Sequence, residues 1–136
     1  MADIELTKEI QKSEVPFSEG ESGVTFKNGV CTRLDEGKRY TSLFIGHETA
    51  TETDEDGNEV TKVYAFQIRV KKPLTRAKAI SAAEAAAYNL RSAEEIASYG
   101  TSLARKARLG EDTDEVEAHD EFIAWVKQEL TAIGIV

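Results

Sequence analysis

Cysteine, proline and tryptophan are scarce in this 136-residue chain, which holds one Cys, two Pro and one Trp. A single thiol, Cys31, excludes a disulfide framework and suits a reducing compartment. No apolar run approaches the roughly 20 residues of a transmembrane helix, so no membrane partner is expected. The start, Met1-Ala2-Asp3-Ile4-Glu5, puts acids where a secretion signal needs a basic region and an apolar core. The expected location is cytoplasmic. Short chemical signatures are missing too: there is no Gly-x-Ser-x-Gly elbow, no phosphate-loop glycine pattern and no dinucleotide fingerprint. Internal repeats and low-complexity tracts are also absent.

What is present is an ordinary globular composition, 40% hydrophobic and 31% charged. At this length it favours one domain with its own core. Two β-type runs, Arg39 to Thr51 and Glu59 to Lys71, mirror each other around the acidic turn Asp54-Glu55-Asp56-Gly57-Asn58. That arrangement predicts a long antiparallel hairpin. Val60, Tyr64, Phe66, Ile68 and Val70 alternate with more polar neighbours, giving one buried and one wet face. Leu43, Phe44 and Ile45 are consecutive, which reads as a stretch covered on both faces. The polar run from Thr49 to Thr53 predicts a tip that projects into water. A shorter hairpin precedes it, with Asn28-Gly29 joining Val24–Lys27 to Val30–Leu34.

Pro73 ends the second long strand, and everything after it reads as helix. Thr75 caps a first helix to about Asn89, with Ile80, Ala83, Ala87 and Leu90 on one face. Ser92 and Glu95 form a capping box for a second helix to about Leu109, with Ile96, Tyr99, Leu103 and Ala107 inward. A third helix carries Val116, His119, Ile123, Val126, Leu130 and Ile133 as a stripe that Phe122 widens. Strands followed by helices predict an α+β fold, about four antiparallel strands and then three C-terminal helices. Residues 1–22 read as a mobile arm. Residues 23–136 read as a single domain, with sheet over 23–72 and a helical layer over 74–134.

Charge is uneven within the net −8. From Ile68 to Leu109 nine Lys/Arg face three acids, while the segments on either side each carry a net −7. The basic middle is either neutralised by the folded acidic ends or a partner surface. In the second case Arg69, Lys71, Lys72, Arg76, Arg105 and Arg108 are the candidate contacts. Trp125 lies off the main stripe of the third helix, so it either fills the sheet–helix junction or joins that contact patch.

Chemistry-bearing residues are few. The acidic turn lacks the spacing of a calcium loop, because Gly57 is fourth and the twelfth position is Ala65. Glu115 and His119 are one helical turn apart, but one pair supplies two metal ligands where a site needs three or four. Cys31, His47 and His119 are the residues from which an enzyme site would have to be built, and sequence does not show whether they meet. No catalytic residue, cofactor or metal is therefore expected. Tyr64 to Lys72 mixes aromatics with bases as single-strand nucleic-acid binders do. Its aromatics share the core face, and the net charge opposes a polyanion.

The reading is a non-enzymatic binding or assembly module working through protein–protein contacts, by self-association or with another protein. Its alternatives are a single-stranded nucleic-acid binder using residues 68–108 and a small enzyme. In general style the chain is also similar to accessory or structural proteins of phages and mobile elements, although no motif carries that likeness.

Overall fold

The fold is α+β, an antiparallel sheet followed by three helices, in a computed structural model that describes residues 6, 10–90, 93–111 and 113–136. The strands are β1 (Ser13–Glu14), β2 (Val24–Lys27), β3 (Val30–Glu36), β4 (Tyr40–Thr53) and β5 (Glu59–Lys71). They lie side by side in the order β1-β5-β4-β3-β2. The helices are α1 (Arg76–Tyr88), α2 (Ala93–Leu109) and α3 (Thr113–Ala132).

Local chemistry explains the turns. Asn28 and Gly29 take φ of 53° and 81°, the left-handed pair that closes a two-residue hairpin between Lys27 and Val30. At the long hairpin's tip, the Asp54 carboxylate accepts from the amides of Asp56 and Asn58 at 3.0 and 2.8 Å. The acid thus holds its own turn, as Asx turns do. Thr75 caps α1 by accepting from the Lys78 amide at 3.2 Å, and left-handed Asn89 ends the helix. Ser92, the expected cap of α2, lies outside the described residues.

The sheet separates two apolar clusters. On the helix side, Leu43, Ile45, Phe66, Ile68 and Val70 meet Ala79 and Ala83 of α1 and Phe122, Trp125, Val126 and Leu130 of α3. On the opposite side, Val15, Cys31, Phe44 and Ala65 form a smaller cluster with Phe17, Val24, Phe26 and Leu34. Leu43, Phe44 and Ile45 therefore do face alternate sides, all three within 2% of full burial.

Three expectations change. Within the segment read as an arm, Ser13 and Glu14 join the sheet and the next residues pack against it. Ser13 and Glu14 pair with Ala65 and Tyr64, Val15 is buried, and the Phe17 ring lies 5.8 Å from that of Phe44. The alternation Val15-x-Phe17 supplies the apolar anchor, in addition to Leu6 and Ile10, which pack against the main core. The buried stripe of α3 is rotated toward Phe122, Trp125, Val126 and Leu130, leaving Val116 and His119 half-buried. In α2, Leu103 is buried but Ala107 is exposed, because residues 107–111 are exposed on every side. The Ile96 side chain lies outside the described residues.

Candidate functional site

The β4–β5 hairpin leaves the body of the molecule at Gly46. A bulge interrupts the pairing between Ile45 and Glu48, and Gly46 takes φ of 63°. Only glycine fits there: an added Cβ would sit 2.5 Å from Cζ2 of Trp125. Glycine thus lets the α3 tryptophan pack directly against the strand at the bulge.

Beyond the bulge the hairpin is a two-stranded ribbon. β3 pairs with β4 from Tyr40 to Leu43, and β1 pairs with β5 at Ala65 and Tyr64, with the Val15 amide just beyond it donating to Val63. The ribbon pairs from Glu48–Tyr64 out to Thr53–Glu59, a reach of about 20 Å at strand rise. Strand alternation puts Glu48, Ala50, Glu52, Val60, Lys62 and Tyr64 on one face. Thr49, Thr51, Thr53, Glu59, Thr61 and Val63 take the other. Lys62 lies 3.2 Å from Glu52 and 3.9 Å from Glu14, and the Tyr64 hydroxyl donates to Glu52 at 2.5 Å. Those bonds from Tyr64 and Lys62 hold the Glu52 carboxyl below its usual range. The backbone groups of Thr49, Thr51 and Thr53 point away from β5, where no strand among the described residues meets them.

The basic candidates do not form one patch. Arg69 pairs with Glu36 at 3.2 Å, its guanidinium 4.1 Å above the Tyr40 ring. Lys72 pairs with Asp35 at 3.3 Å and donates to the Gly37 carbonyl. Burial pushes the Asp35 carboxyl up, but Arg33, Lys72 and Thr41 outweigh it and hold that group below its ordinary value. Arg76 donates to the Lys127 and Ile135 carbonyls and to the Thr131 hydroxyl, closing the C-terminal end of α3. Arg105 and Arg108 are exposed on α2, away from the sheet residues in sequence and element. Trp125, at 9% exposure, fills the sheet–helix junction between Phe66 and Phe122 and offers no surface to a partner. Arg69 and Lys72 of the basic middle are thus tied to acids from the flanking segments, as Lys106 is to Glu115 at 2.8 Å.

Lys71 is exposed, and it lines a cleft of about 580 Å³ between β5 and α1. Arg69, Val70, Ala77, Lys78, Ser81 and Ala82 complete its walls. No periodicity announces this cleft. It arises because the helix side facing the strand edge carries small residues.

The titratable residues lie apart. His47 Nε2 is 2.7 Å from the Cys31 carbonyl, to which it donates, so the ring engages the backbone and not the thiol. Burial pushes the Cys31 thiol up, which keeps it protonated and a weak nucleophile near neutrality. His119 is across the sheet among the helices. Its Nε2 is 3.1 Å from Glu84, and its ring lies 5.7 and 5.8 Å from those of Tyr88 and Tyr99. Burial raises both phenols, so neither serves as a proton acceptor near pH 7. This cluster ties α1, α2 and α3 together. The sequence pointed to Glu115 as the neighbour of His119, whereas the close carboxylate comes from α1, a tertiary contact that helical spacing does not encode.

Among the described residues, no group of three or more His, Cys, Asp or Glu is arranged to hold a metal, and no helix is long and apolar enough to cross a membrane. Of the two aromatics in the Tyr64–Lys72 stretch, Phe66 is in the core and Tyr64 is half-buried with its hydroxyl on Glu52. Comparison with protein-family models, with curated proteins and with solved structures finds no match.

Proposed function

We propose that this chain is a non-enzymatic assembly module that makes protein–protein contacts by strand addition along its projecting ribbon, with another copy of itself as partner. One observation carries the reading: the ribbon beyond Gly46 extends past both neighbouring strands, leaving the Thr49, Thr51 and Thr53 edge without a strand partner among the described residues. Unpaired edges are templates for pairing, and globular chains usually shorten, cover or bend them away. Here the edge is long. A single buried thiol fits a reducing, cytoplasmic setting.

The test is solution mass by light scattering, for the full chain and for a variant in which residues 51–61 are replaced by Asn-Gly. That replacement closes Ala50 on Lys62 with the same turn chemistry as Asn28-Gly29 and leaves both apolar clusters untouched. The expected result is a defined oligomer for the full chain and a monomer for the shortened one. Equal association states for the two would overturn the reading.

A further inference from the structure

The ribbon needs a counterpart, and the same sheet supplies one at its other end. Val63 accepts from the Val15 amide on the β1 side of β5, whereas Lys72 donates to Arg39 on the β4 side. By strand alternation, the backbone groups of Gln67, Arg69 and Lys71 therefore point to the β1 side. β1 pairs no further along than Ala65, so these groups meet no strand among the described residues. They face the cleft beside α1, whose wall is built from the small side chains of Ala77, Ser81 and Ala82. A strand edge with no partner among the described residues, flanked by a helix with small residues, is the shape that accepts an added extended segment.

Charge selects the occupant. Lys71 and Lys78 line the cleft, and α1 has no acid in its first turn, while the Arg69 guanidinium is engaged by Glu36. The ribbon is the opposite: Glu48, Glu52, Asp54, Glu55, Asp56 and Glu59 against Lys62 alone. Its outward edge is threonine, small enough to lie beside alanine and serine. We infer that the cleft between β5 and α1 receives the acidic β4–β5 ribbon of a second copy. This rests on the assembly reading above and names its docking site. Ribbon and cleft occupy opposite ends of β5, about 35–40 Å apart over the strand's length, so one copy uses both at once. The contact is head-to-tail, and its repetition gives a ring or an open filament.

The experiment reverses each charge set at exposed positions. One variant carries Lys71→Glu and Lys78→Glu, the other Glu55→Lys, Asp56→Lys and Glu59→Lys, and circular dichroism checks that both remain folded. Light scattering across a concentration series is expected to show each variant alone associating at least about tenfold more weakly than the unmodified chain. An equimolar mixture of the two is expected to recover association, because each reversed surface then meets its complement. The cleft inference falls, with the ribbon reading intact, if shortening the ribbon abolishes association while reversal at 71 and 78 leaves it unchanged. It also falls if the mixture fails to recover. A monomeric unmodified chain overturns both.

Discussion

The two ends of the long hairpin share one backbone ladder and behave as different structures. At the root, Leu43, Phe44 and Ile45 of β4 and Phe66, Ile68 and Val70 of β5 are buried between helices on one side and a smaller cluster on the other. At the tip, from Glu48–Tyr64 to Thr53–Glu59, the side chains are mostly threonines and acids, and among the described residues every one of them is half-buried or exposed. The difference teaches that pairing alone does not decide where a sheet ends. Side chains at the root are held by apolar burial, while the tip is held by its ladder, by ion pairs around Lys62 and by the Asp54 turn. A two-stranded ribbon is marginal by itself in water, so its persistence depends on the anchored root.

Breaking the root should have the largest effect. Phe122 is fully buried, with ring contacts to Phe66, Tyr88 and Trp125. Phe122→Ala is expected to cost about 3–5 kcal/mol in urea unfolding followed by Trp125 fluorescence. Next comes the boundary. Gly46→Ala must displace Trp125 and adopt a left-handed backbone, and about 3 kcal/mol is expected from overpacking and strain together. Gly57→Ala in the tip meets nothing within 4 Å, so it carries only the strain, about 1 kcal/mol. Comparing the two glycines in one denaturation series isolates the contact with Trp125.

The root was legible because periodicity reports burial. Alternation in β5, the apolar triplet in β4 and the Asn28-Gly29 turn are local patterns with one geometric meaning each. The positions that bend and join the elements were not. Gly46 reads as an ordinary glycine until Trp125 is seen against it, and that contact spans 79 residues of chain. Val15 and Phe17 were hidden because two apolar residues in a polar segment do not announce burial, although their alternation was there to be read. Arg76 looked like a surface cation because a sequence cannot show that the end of α3 lies within its reach.

Smaller effects sharpen the comparison. Asp35 is held ionised near the root by Arg33, Lys72 and Thr41. Its folded pKa is depressed, so its stabilisation is present above the unfolded carboxylate range, near 4, and is lost as pH falls through the lower folded value. Asp35→Asn is expected to cost about 1 kcal/mol at pH 7 and to flatten the acid limb of a stability–pH profile measured by thermal unfolding. At the tip, Thr51→Ala at low protein concentration is expected to change stability by less than about 0.5 kcal/mol, because that side chain is exposed.

The most direct measurement is amide hydrogen exchange at two protein concentrations. The amides of Ala50 and Glu52 face β5 and should be protected at both. The amides of Thr49, Thr51 and Thr53 face outward and should exchange rapidly when dilute. In concentrated protein they should slow together with those of Arg69 and Lys71. Outward amides that exchange equally fast at both concentrations would contradict the claim that this ribbon is an assembly edge.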